Sequence, residues 1–147
     1  MKKLFILALS ATLAACQLST DSDEAAKDVA QQWAEAFFNC DFHEAESCST
    51  PESSSWLHFA AANTMPHDID LLNERNAQVE SVQLQSAGSN TLRTAVLKVR
   101  DYVRPTALGD ESQREAEGVF HVTMVLRDGR WLVRMEGLPR SEKQSLD

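Results

Sequence analysis

The sequence predicts an α+β domain in which N-terminal helices pack on one face of an antiparallel sheet. Three observations carry that expectation. Apolar residues recur at three- and four-residue spacing through the first half of the chain, the apolar period shifts to two beyond Val79, and Asp128-Gly129 marks a tight hairpin turn between two apolar-patterned runs. Helices first and strands afterwards, without alternation, is the order of an α+β layer arrangement.

Residues 1–15 stand apart from that domain. Lys2 and Lys3 are followed by the apolar run Leu4 to Leu9 and then by small residues up to Ala14-Ala15, the order of a secretory leader. The run is far shorter than the ~20 apolar residues a membrane-spanning helix requires, and no later stretch approaches that length. Leu13-Ala14-Ala15-Cys16 resembles the lipobox of bacterial lipoproteins. The resemblance implies cleavage before Cys16, acylation of that cysteine by chains such as palmitate, and a lipid bilayer as partner. Each buried methylene adds ~0.8 kcal/mol to such an anchor, so several chains hold firmly. The expected location is the cell envelope, lipid-anchored, at the outer membrane and facing either the periplasm or the cell surface.

Loss of Lys2 and Lys3 moves the formal charge from −8 to −10. A body that acidic repels phosphates, and no basic cluster reverses this locally, so nucleic acid is not an expected partner. Residues 16–24 are polar and acidic, which suits a solvated tether. Residues 25–137 are enough for one compact domain, and 138–147 read as a polar C-terminal tail.

Within the domain, Ala26, Val29, Ala30, Trp33 and Phe37 form one buried stripe of a helix over 24–38, with Asp21 and Glu24 placed for a capping box. Asn39-Cys40-Asp41 interrupts it, and Phe42 to Ser47 makes a short second helix. Thr50-Pro51 restarts a third, with a capping hydroxyl before a proline at the first helical position. That helix is expected to run to about Asn63 and to bury Trp56, Phe59 and Ala60. A shorter helix follows over Asp68 to Asn73.

Val79 to Gln85 reads as a strand, Ala87 to Asn90 as a turn, and Leu92 to Arg104 as a long strand with Ala95, Leu97, Val99 and Val103 on one face. Pro105 to Gln113 is a polar loop. A two-residue turn at Asp128-Gly129 places Leu126 opposite Trp131, Met124 opposite Val133 and Val122 opposite Met135, apolar on both sides. The other face pairs Val125 with Leu132, Thr123 with Arg134 and His121 with Glu136. Turn chemistry and hydrophobic pattern select the same register.

The segment Ala36-Phe37-Phe38-Asn39-Cys40-Asp41-Phe42, then Ala45 and Thr50-Pro51-Glu52, and the closing Asp128-Gly129-Arg130-Trp131-Leu132-Val133 resemble NTF2-like (cystatin-like roll) domains. The resemblance spans residues 25–136. Among such domains the chain is most similar to small lipoprotein-borne domains of unknown function in Bacteroidetes. It implies a curved sheet wrapping the helices into a cone with a pocket at the open end.

After acylation of Cys16 two cysteines remain. Cys40 and Cys48 flank the short second helix, and outside the cytoplasm they are either a disulfide pair or two buried thiols. A metal site of Cys40, His43 and Cys48 lacks a fourth ligand at suitable spacing, so neither metal nor cofactor is expected. Asp101 continues the parity of Ala95, Leu97 and Val99. An unbroken strand points its carboxylate inward, where an apolar pocket raises a carboxyl pKa and creates a general base, with Tyr102 nearby. This matches the ketosteroid-isomerase branch that the fold resembles. One bulge reverses the two, turning Asp101 out and Tyr102 in. Trp33, Trp56 and Trp131 are candidate ligand-lining residues, although each also fits the buried stripe of its element.

No Gly-x-Ser-x-Gly motif, phosphate loop or dinucleotide fingerprint is present. Only one inward polar group can be argued from sequence, whereas pocket enzymes of this kind use several. The expected function is therefore non-enzymatic: a tethered domain holding a small apolar ligand or docking on another envelope protein. A small pocket enzyme with Asp101 as base is the alternative.

Overall fold

The computed structural model describes residues 22–104 and 111–146. Residues 1–21, which hold Cys16, the expected leader and most of the expected tether, together with residues 105–110 and Asp147, lie outside the described residues. Four helices precede a four-stranded antiparallel meander in the order β1-β2-β3-β4. The helices are α1 (Asp23–Phe38), α2 (Phe42–Ser47), α3 (Ser54–Ala62) and α4 (Pro66–Glu74). The strands are β1 (Gln78–Ser86), β2 (Leu92–Arg104), β3 (Gln113–Arg127) and β4 (Arg130–Arg134). The α+β expectation holds.

Helix α1 is started by Ser22, whose hydroxyl accepts the Ala25 N–H at 3.1 Å, with Asp23 and Glu24 complementing the dipole of the first turn. Ala26, Ala30 and Ala34 are fully buried, and small side chains there let the helix approach the sheet closely around Trp33. Cys40 ends the helix in the left-handed region at φ 61°. The Asp41 N–H bonds to the Ala36 carbonyl and the Cys40 N–H to that of Phe37, which together make a Schellman cap. Asn39 then clips this end to the start of β1, exchanging two hydrogen bonds with the backbone of Ala77.

The third helix is rotated from its expected phase. Pro51–Ser53 is a separate 3-10 turn pinned to β4: the Thr50 N–H donates to the Val133 carbonyl and the Met135 N–H to Ser53 Oγ, each at 2.8 Å. That anchor turns Ser53 and Leu57 inward and leaves Trp56 36% and Phe59 52% exposed, while Ala60 is half-buried. The expectation that Trp56 and Phe59 are buried is thus corrected. Residues 48–50 also run along β4, with Ser49 bridging Val133, so the edge of β4 is covered by chain.

The hairpin register is the expected one, with Leu126 opposite Trp131, Met124 opposite Val133 and Thr123 opposite Arg134. The ladder stops at Arg134. Consequently His121 meets Glu142 at 2.8 Å, and Glu136 pairs with Arg134 instead. The segment beyond Met135 is more than a polar tail. Ser141 bridges Phe120 and the Glu142 N–H donates to the Val119 carbonyl, filling the part of the β3 edge that β4 leaves open.

Candidate functional site

The sheet's inner face changes phase in the middle of β2. Asp101 adopts φ 55°, in the left-handed region that Asp tolerates better than most residues. Val99 and Tyr102, three positions apart, are therefore both buried. Tyr102 lies flat over Gly118: a Cβ at that glycine would sit 2.7 Å from the Tyr102 hydroxyl oxygen. The inward placement of Asp101 expected from strand parity is overturned. Its carboxylate pairs with Arg75 at 3.1 Å and its carbonyl accepts from Arg114 at 2.8 Å, tying the end of α4 to the sheet. This is a structural clip outside the cavity.

Tyr102 instead enters an aromatic cluster. Its ring meets Phe120 at 5.1 Å and Phe38 at 5.9 Å, and Phe37 is edge-on to Phe38 and Phe42. Such edge-to-face arrays place positive ring edges on negative ring faces and hold one geometry. Between these rings, the end of α3, the start of α4 and the segment 138–144 lies a cavity of about 290 Å³. That volume is at the small end for ligand sites. Burial pushes the Tyr102 hydroxyl above its usual range, with Ser141 pulling it back, so the group stays a neutral phenol.

Besides Cys40, Thr64 and Asp68, the cavity wall carries the polar side chains of Asn63, Arg104, Arg140 and Gln144. Cys40 and Thr64 stand close together, and burial raises the Cys40 thiol, with Thr64 opposing and Asp68 adding to the rise. Asp68 is the third residue of α4, two after Pro66. Its Oδ2 accepts the Met65 N–H at 2.8 Å, closing the helix start, and the residue is only 5% exposed. Its Oδ1 is buried and has no hydrogen-bond partner among the described residues. Arg104, which also lines the cavity, is engaged by Glu115 at 3.0 Å.

The other candidates lie elsewhere. Cys40 and Cys48 are free thiols, which corrects the disulfide alternative. They stand at opposite ends of α2, whose six residues rise ~9 Å, beyond the ~7 Å Cα separation a bridge tolerates. Cys40 faces Thr64 and Asp68, whereas Cys48 is buried beside Ser47 and is likewise pushed up by burial. Among the described residues no group of three or more metal-ligating side chains assembles. Trp33 is core, stacked on Phe37 at 4.9 Å with its indole N–H donating to Ser49 Oγ at 3.1 Å. Trp131 is core beneath the Arg93 guanidinium. Trp56 points outward. None of the three lines the 290 Å³ cavity. A wider depression of about 730 Å³, which Trp33 helps to line, follows the β3 edge past the end of β4; His121–Glu142 and Arg134–Glu136 pair in its wall, and the buried Arg134 Nε has no hydrogen-bond partner among the described residues.

No protein-family model matches the sequence, and no curated protein matches it either. Among solved structures, the chain is similar to a protein assigned as a polyketide cyclase from Xanthomonas campestris pv. campestris. The identity is 15%, the TM-score 0.46, and the match covers 77% of this chain and 91% of the other. It is also similar to a protein assigned as an NTF2-like transpeptidase from Campylobacter jejuni, at 15% identity and TM-score 0.39, covering 78% of this chain and all of that one. A third, an NTF2-like protein involved in plasmid conjugation, aligns at 18% identity and TM-score 0.38 over 80% of this chain and 48% of its own length.

Sequence reasoning placed the site on the wrong strand residue and missed Asp68. The signal was present in Met65-Pro66-x-Asp68, a helix start with an acid at the third position, but it marks a cap and says nothing of a cavity. The contribution of 138–144 to the wall was missed as well, because a polar composition conceals Leu138 and Pro139.

Proposed function

We propose that this chain is a membrane-tethered envelope lipoprotein whose NTF2-like domain holds a small, largely apolar molecule between its helices and its sheet, without catalysing a reaction on it. The observation that carries the binding half is the 290 Å³ cavity walled by Phe37, Phe38, Phe42, Tyr102 and Phe120. The tether rests on the leader, on Leu13-Ala14-Ala15-Cys16 and on the acidic segment after it. The NTF2-like placement is supported by helices leading into a meander with a cavity between the two layers. The alternative with Asp101 as a general base finds no support in the geometry, since that carboxylate is paired with Arg75 away from the cavity.

Titrating the purified full chain with indole, followed by calorimetry, tests the binding half. Wild type should give saturable heat, and Ala60→Phe, which puts a ring into the cavity from a half-buried position on α3, should abolish it with little change in thermal midpoint. Equal heats from both proteins would refute the assignment. For the tether, Cys16→Ser should lose incorporation of labelled fatty acid; label retained on that variant refutes it.

A further inference from the structure

Asp68 is what distinguishes this cavity from a plain apolar hole. A carboxylate removed from water is costly unless it is paired and hydrogen-bonded. Here one oxygen is committed to the Met65 N–H at 2.8 Å and the other has no partner. No cation of the described residues forms an ion pair with it. Two groups of the same wall supply no charge: Cys40 is held as a neutral thiol by burial, and the Thr64 hydroxyl donates to the Ala60 carbonyl at 2.9 Å. Of the two arginines in the same wall, Arg104 pairs with Glu115 although its buried Nε has no hydrogen-bond partner among the described residues, and Arg140 is exposed; neither forms an ion pair with Asp68. The cavity thus offers aromatic walls, whose faces also attract cations, and one buried acceptor lacking a positive partner.

We infer that the ligand is a small amine, with an aromatic or aliphatic body among Phe38, Phe120 and Tyr102 and an ammonium group donating to Asp68 Oδ1. This rests on the proposed binding function and specifies its ligand class. An ammonium is favoured over an alcohol because it brings a full opposite charge to a carboxylate that lies out of water, where screening is weak, whereas an alcohol brings only a dipole.

Three size-matched probes separate the possibilities: 2-phenylethylamine, 2-phenylethanol and propylbenzene, each titrated into the full chain in 0.3 M salt. The salt suppresses the general attraction of an acidic protein for cations but screens a buried pair far less. The amine should bind about tenfold or more tightly than the alcohol, with propylbenzene weakest. Asp68→Asn keeps an acceptor for the Met65 N–H and removes the charge. It should erase the preference for the amine over the alcohol.

In wild type, alcohol and amine binding equally would overturn the amine inference and leave the cavity's binding function standing. Failure of all three probes would overturn both. An amine preference that survives Asp68→Asn would overturn the role given to Asp68. Should that variant not fold, slower alkylation of Cys40 by iodoacetamide in wild type with the amine, and not with the alcohol, is the expected result; equal protection by both refutes the inference.

Discussion

Replacing Gly118 by alanine probes the phase change that builds the cavity. The added Cβ would lie 2.7 Å from the Tyr102 hydroxyl oxygen, 2.8 Å from Cε1 and 3.0 Å from Cζ, roughly 1 Å short of an ordinary contact of ~3.5 to 4 Å. The ring cannot retreat freely, because Phe38 and Phe120 hold it at 5.9 and 5.1 Å. Overpacking of this kind costs ~1 to 3 kcal/mol. Loss of glycine freedom in the unfolded chain returns ~0.4 to 1 kcal/mol, leaving a net destabilisation of about 1 to 2 kcal/mol. Urea titration should show this as a lower midpoint with an unchanged slope. Gly137→Ala, where a Cβ meets nothing within 4 Å, is the control and should stay within ~0.5 kcal/mol. In a Tyr102→Leu background the cost of Gly118→Ala should largely vanish. Equal midpoints for Gly118→Ala and Gly137→Ala would refute the packing of Tyr102 on the sheet.

Three further outcomes follow from the same geometry. Met124→Ala should lose ~2 to 5 kcal/mol by opening a cavity in the core, whereas Thr123→Ala on the other face should stay within ~0.5 to 1 kcal/mol; the reverse order in denaturant titration would mean a slipped hairpin. Cys40 and Cys48 should both alkylate in denatured protein without reductant, and in the native protein Cys40 should react slowly until the pH exceeds 9, as its thiol is pushed up; a bridged peptide in the mass spectrum would refute this. Arg127 holds the exposed Glu52 at about 2 against its usual 4.5, so the contribution of Glu52 is present above pH 4.5 and fades as the pH falls toward 2. The stability difference between wild type and Glu52→Gln should shrink over that window and at high salt, and a difference that grows on acidification would count against the pair.

The elements whose local chemistry and hydrophobic period agree were legible in the sequence. Phe42–Ser47, Leu92–Arg104 and the Asp128-Gly129 register lie where spacing and turn residues put them. What was not legible depends on single backbone choices. Asp101 takes a left-handed conformation that inverts the parity after Val99, and parity alone cannot reveal that a strand contains one such residue. The rotation of α3 comes from tertiary hydrogen bonds between Thr50, Ser53 and β4, which carry no local signal and override the apolar pattern of Trp56 and Phe59. Asp68 was readable as a helix cap, but its orphan oxygen appears only once α3, α4 and the aromatic cluster enclose it.

Those exposed side chains supply the sharpest contrast for the central claim. Trp56 and Phe59 on α3, Met65 just before α4 and Ile69 on α4 are exposed apolar side chains that a small hydrophobic molecule could choose instead. Mapping amide chemical shifts of the labelled full chain during titration with 2-phenylethylamine locates the molecule directly. Binding in the cavity predicts saturable shifts centred on Phe38, Cys40, Tyr102 and Phe120. Shifts confined to Trp56, Phe59 and Ile69, or spread over the surface without saturation, would contradict it.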